Sequence, residues 1–220
     1  MALRPLYRAL AAFLLLLGFG AAPSWAAVGC ELDDPEREVP RLYPGATGYK
    51  AVTVDVQRLG GNELLARIEA RLREKLQGLY ERIDVPYTVF VIYAQDRRIG
   101  YIHGVNQKGR FGGIQIVVAL TLDEQIKTFY IQRMTGPYAA KFRDPAFGKQ
   151  FAGLALRDFD QLDVATGRGS GKISEIKNPA PEADFDFNRI LRGTKKNLIL
   201  VNEFLKMSPA LSAQNGAPAK

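Results

Sequence analysis

The 220-residue chain contains one cysteine, one histidine and one tryptophan. Cys30, being alone, can form no internal disulfide, so a fold working in an oxidising compartment has to be held by its core. A lone His103 makes no metal site by itself, and without cysteine partners in the folded region zinc and haem have nothing to build on. It also lacks an obvious nucleophile with which to form a triad, which argues against a hydrolase. No long Lys/Arg run of the kind that tracks a phosphate backbone is present, so nucleic acid is not an expected partner. The apolar stretch from Leu10 to Ala22 is shorter than the ~20 residues needed to cross a bilayer and contains Gly18 and Gly20. No internal repeat appears.

What the amino terminus does have is Arg4 and Arg8, then that apolar stretch, then Pro23 and the small-residue run Ser24-Trp25-Ala26. This order is that of a secretory signal peptide spanning 1–26, with a mature chain starting near Ala27 in the periplasm. The following Gly29-Cys30 pair is the one lipoprotein processing uses, although Ala27 stands where leucine is usual, so lipidation at Cys30 stays open beside simple cleavage. Without Arg4 and Arg8 the mature chain keeps 28 basic and 23 acidic residues, a modest and dispersed net charge of +5. About 190 residues, in a chain whose full composition is 47% apolar, are enough for one domain with a real core.

Periodicity organises the rest. The charged, proline-bounded stretch within 27–40 reads as a flexible surface leader, 41–206 as one folded domain, and 207–220 as a disordered tail. Val52, Val54 and Val56 alternate as in a half-buried strand. Between Asn62 and Tyr80, apolar residues at three- and four-residue steps predict a helix capped by Asn62. Four runs then predict an antiparallel meander: Tyr87 to Ala94, Ile99 to Val105, Ile114 to Thr121, and Ile126 to Gln132. The first and third of these are apolar on both faces, which requires helical cover on both sides. A short helix after Asp144, a glycine-rich polar loop from Asp163 to Lys172, and a last helix capped by Asp184 or Asp186 complete an α+β domain. Arg189, Arg192, Lys195 and Lys196 on that helix read as a solvated basic face able to meet an acidic partner or a membrane.

Gly100-Tyr101-Ile102-His103-Gly104, Gly109-Arg110-Phe111-Gly112-Gly113-Ile114 and Phe147-x-x-Gln150-Phe151-x-Gly153 occur in an order that resembles the FMN-binding domain. That domain occurs in the periplasmic flavin-carrying subunits of Rnf-type complexes and sodium-translocating NADH:quinone oxidoreductases. The likeness runs from about Arg41 to Leu205, with the helix after Asn62 as an elaboration. It implies a flavoprotein that takes part in electron transport with a membrane-associated redox protein. In the family an Asp precedes Ser/Thr-Gly-Ala-Thr, whose last Thr can be esterified to FMN. Here the matching segment is Asp163-Val164-Ala165-Thr166-Gly167-Arg168-Gly169-Ser170, in which Gly169 holds the acceptor position. Glycine has no hydroxyl, so FMN would be held noncovalently.

Two readings of this loop fit the residues. Its glycines, with Thr166, Arg168, Ser170 and Lys172, can form a cradle for an FMN phosphate, or they can form an ordinary mobile surface loop. The resemblance puts Thr166, Gly167 and Ser170 at the phosphate and Phe111, Gly112 and Gly113 beside the ring. Thr135-Gly136-Pro137 stands where the family has its Glu-Thr-Pro-Gly turn, with Met134 in place of the Glu, and Tyr138 follows as an aromatic that can stack. His103 reads as a structural residue at a strand end. The other expectation, of a different class, is a flavin-free accessory or assembly subunit that kept the fold.

Overall fold

The computed structural model describes residues 29–81 and 84–212, so the expected signal segment and positions 213–220 of the expected tail lie outside the described residues. The chain folds as one α+β domain around an antiparallel sheet. Five strands follow one another in space as in sequence: β2 (Gly48–Val54), β3 (Tyr87–Ala94), β4 (Arg97–Lys108), β5 (Gly113–Leu120) and β6 (Ile126–Arg133). The meander from β3 to β6 is as expected because its three connections are short, while β2 reaches its place beside β3 through the longer, helix-bearing stretch between Val54 and Tyr87. A two-residue strand, β1 (Gly29–Cys30), pairs with Gly104 and Val105 of β4, beyond the point where β3 ends its pairing at His103.

The helices are α1 (Pro35–Leu42), α2 (Val56–Leu59), α3 (Gly61–Leu72), α4 (Ala139–Phe142), α5 (Pro145–Lys149), α6 (Asp184–Met207) and α7 (Pro209–Ser212). They divide the sheet's two faces. Val89, Val91 and Tyr93 of β3, with Ile116, Val118 and Leu120 of β5, lie in the core shared with α3 and α6. Their alternates Phe90, Ile92, Val117 and Ala119 pack on the other face against Leu32, Val39, Leu42 and Tyr43. Strands that read as apolar throughout are thus covered from both sides.

The second face corrects the expected leader. Residues 31–40 are not a loose surface segment, because Asp34 accepts the amide of Arg37 at 3.3 Å and Pro35 occupies the first turn of α1. Prolines and acids that suggested a linker are there the chemistry of a helix start. Tyr43 then reaches through the face, its hydroxyl shared between the carbonyls of Tyr101 (3.0 Å) and Leu120 (2.6 Å). Gly100 makes this possible, since a Cβ there would overlap both the Tyr43 ring and the Leu120 carbonyl.

Other boundaries also move. The strand around Val52 ends at Val54, and Asp55 caps α2 by accepting the amide of Arg58 at 3.1 Å. The helix expected to Tyr80 stops at Leu72, where Arg73 turns left-handed at φ 61°. Glu69 then bends the chain back by accepting the Leu76 amide (3.0 Å) and the Lys75 ammonium (2.6 Å). The tail does not start at 207, because α7 follows α6 and buries Leu211.

Helix α6 is the largest departure. It lies between the sheet and α3, so the expected solvated basic face is interior: Arg192 is 2% exposed, Lys195 2% and Lys196 1%. Arg189 alone of the four keeps partial exposure. Close approach of α6 to β5 depends on Gly193, whose added Cβ would overlap the side chain of Ile116.

Candidate functional site

The β4–β5 connection is built around glycine. The Gly109 amide donates to the Gly112 carbonyl at 2.8 Å, closing the turn, and Gly112 has φ 138°, a conformation side chains resist. Thr135, at the exit of β6, donates its hydroxyl to the Phe111 carbonyl at 2.9 Å. Gly136, at φ 118°, sits under the Phe111 ring, where an added Cβ would come within 2.6 Å of a ring carbon. Five of the nine expected residues, Phe111, Gly112, Gly113, Thr135 and Gly136, are therefore one cluster. Phe111 is 53% exposed above it, an aromatic face turned to solvent. Tyr138 caps α4 and packs partly buried against the main core, with the Lys141 ammonium 5.6 Å from its ring centre.

The 163–171 loop is a separate construction. Asp163 accepts from the Ala165 amide (2.9 Å) and from the Thr166 hydroxyl (2.9 Å), while its own carbonyl accepts the Gly167 amide (2.8 Å). The Thr166 hydroxyl, first among the causes, and the Ala165 and Thr166 amides hold the Asp163 carboxyl below the ordinary carboxylate range. Gly167, at φ 70°, lies so close to Asn188 of α6 that a Cβ would overlap its amide group. Ser170 is exposed at the start of a 3₁₀ turn, Gly171–Glu175, without capping it. Lys172, expected as a phosphate cation, lies 3.5 Å from Asp158.

The first turns of α6 are what the two constructions share. Asp186, expected as a helix cap, instead accepts the backbone amide of Arg110 at 2.7 Å, and Asn188 two residues on fills the space at Gly167. Phe185, just before Asp186, is 38% exposed, with the guanidinium groups of Arg110 and Arg189 over its ring at 5.3 and 5.2 Å. Of two surface cavities formed by the described residues, neither is lined by any of the nine expected residues. One, of about 810 Å³, runs between α1, β6 and α5; the other, of about 760 Å³, opens between residues 74–81 and the start of α6.

His103, read as a structural residue at a strand end, sits in mid-strand and fully buried. Asn197 donates its amide to the carbonyls of His103 and Ile116 (both 3.3 Å), so its oxygen accepts from His103 Nδ1 at 2.7 Å. Nε2 has no partner among the described residues, and complete burial drives the imidazole pKa down to about 4, keeping it neutral.

Beneath the second cavity lies a buried ionic network that sequence reasoning missed. Arg192 bonds to Glu74, Glu81 and Gln107 (2.7 Å to the last), and Lys196 bonds to the Asn106 carbonyl at 2.7 Å and to Glu81 at 3.3 Å. Burial, the leading cause, lowers the Lys196 pKa to about 8. The Glu81 carboxyl stays below its ordinary range because Lys196 and Arg192 outweigh the opposing effect of its burial. The faint sequence signal was the four-residue step from Arg192 to Lys196, which puts both cations on one side of the helix.

Among the described residues no group of three or more His, Cys, Asp or Glu side chains could hold a metal ion. No described helix is long and apolar enough to cross a membrane. Comparison of the chain with protein-family models and with curated proteins finds no match.

Proposed function

We propose that this chain is a periplasmic flavoprotein domain that binds FMN noncovalently and exchanges electrons with a membrane-associated redox protein. The observation that carries this reading is the joining of the Phe111–Gly113 turn to the Thr135–Gly136 turn on one side and, through Arg110, to the first turns of α6 on the other. A flavin needs an aromatic face, backbone that can approach closely and cations for its phosphate. Phe111, the glycines at 112 and 136, and the pair Arg110 and Arg189 are residues of those three kinds.

Bound FMN would supply reversible electron transfer, while the protein supplies orientation, water exclusion and electrostatics. Phe111 shields one ring face, and Thr135 fixes Phe111 by holding its carbonyl. Gly169 offers no atom for an ester, so flavin would leave on denaturation.

The 163–171 loop favours the second reading, a flavin-free accessory subunit. Asp163 already takes the Thr166 hydroxyl and the Ala165 amide, donors that a phosphate would need. The visible spectrum of the mature chain, exported with flavin available, separates the two. A yellow protein with flavin bands supports the carrier; a colourless one that stays so with added FMN supports the accessory subunit.

A further inference from the structure

We infer that the cavity of about 760 Å³ between residues 74–81 and the start of α6, rather than the 163–171 loop, receives the phosphate-bearing end of a planar aromatic ligand. This rests on the flavin reading above and specifies where its anion is held.

The cavity has the size of a small-molecule site. Tyr80 and Phe185 line it as aromatic walls, with Leu79, 56% exposed, beside them. Lys108 and Arg189 also line it, and Arg110 stands over Phe185 at its rim. None of these three cations has a carboxylate partner among the described residues. The two acids on the wall, Glu74 and Glu81, are balanced by two buried cations, Arg192 and Lys196. Its accessible field is therefore positive, and its guanidinium groups already stack on an aromatic, the arrangement that suits an aromatic phosphate.

The cavity also adjoins the ring cluster. Tyr80 lies against Gly113, 2.9 Å from where a Cβ would be, so a ligand can extend from the cavity to the Phe111 turn across this one residue. The 163–171 loop makes the opposite offer, since its Asp163 carboxylate occupies the anion position.

The test compares FMN with riboflavin, which lacks the phosphate, by flavin-fluorescence titration of the full mature chain at low and moderate salt. Wild type is expected to bind FMN more tightly than riboflavin, the difference shrinking as salt rises. Arg189→Gln is expected to weaken FMN about tenfold and leave riboflavin within about twofold, with Lys108→Gln acting in the same direction. Phe185→Ala is expected to weaken both ligands. Far-UV circular dichroism checks that each variant is folded, and Lys50→Gln, on a distant strand, should match wild type. If Arg168→Gln lowers FMN affinity while Arg189→Gln and Phe185→Ala do not, the phosphate sits in the loop and this inference is overturned with the flavin reading intact. Equal binding of FMN and riboflavin also overturns it. No FMN binding to wild type removes the flavin reading itself, and this inference with it.

Discussion

At the scale of single residues, polar groups inside the α6 layer make the sharpest predictions. His103 has a folded pKa near 4 against 6.5 for the free side chain, so folding favours its neutral form. Its contribution is complete above about pH 6.5 and is lost as pH falls toward 4, because the unfolded chain binds the proton first. Urea midpoints measured between pH 7 and 4.5 should fall by up to about 3 kcal/mol in stability over this window. His103→Gln should flatten the slope, and an unchanged slope would mean that other groups set it. Lys196 gives a second window: its folded pKa near 8 lies below its ordinary 10.5, so stability should rise again between those values. Removing the cation that holds Glu81 is the harsher change. Arg192→Met leaves the buried Glu81 carboxylate with Lys196 as its one cation and should cost about 3–5 kcal/mol, read from chemical denaturation. A double variant, Arg192→Met with Glu81→Gln, should lose less than the single changes together.

Elements show what the sequence made legible and what it hid. The all-apolar runs of β3 and β5 signalled a sheet covered on both faces, and the turn-length connections signalled a meander, because both signals are local. The Phe111 and Thr135 turns were also legible, since glycines at 112 and 136 mark backbone that needs positive φ. What stayed hidden depends on distant partners. Arg192 looked like a surface charge because Glu74 and Glu81 lie more than 100 residues earlier in the chain. The phosphate cradle looked plausible for the same reason in reverse: nothing in a glycine-rich basic loop says that its own Asp163 will use its donors. Helix α1 was obscured by the charges of its own first turn. Its role is testable: Leu42→Ala should cost about 2–5 kcal/mol by uncovering the second face, and a cost near zero would mean that α1 is not docked. Similarly, Gly193→Ala should push α6 off β5 and cost about 1–3 kcal/mol, measured by urea unfolding.

At the scale of the whole molecule, the domain needs no disulfide because the sheet is sealed on both faces and α6 is sealed between layers. Burying the charged middle of α6 keeps its exposed features at the amino-terminal end, where Phe185, Arg189, Arg110 and Phe111 converge. A flavin held there would sit at an exposed end of the molecule, accessible to a redox partner. Native and denaturing mass spectrometry of one sample of the exported chain, isolated with FMN present, tests this most directly. The expected result is the chain plus one FMN under native conditions and the bare chain after denaturation; a bare chain in both spectra, or an adduct that survives denaturation, would contradict it.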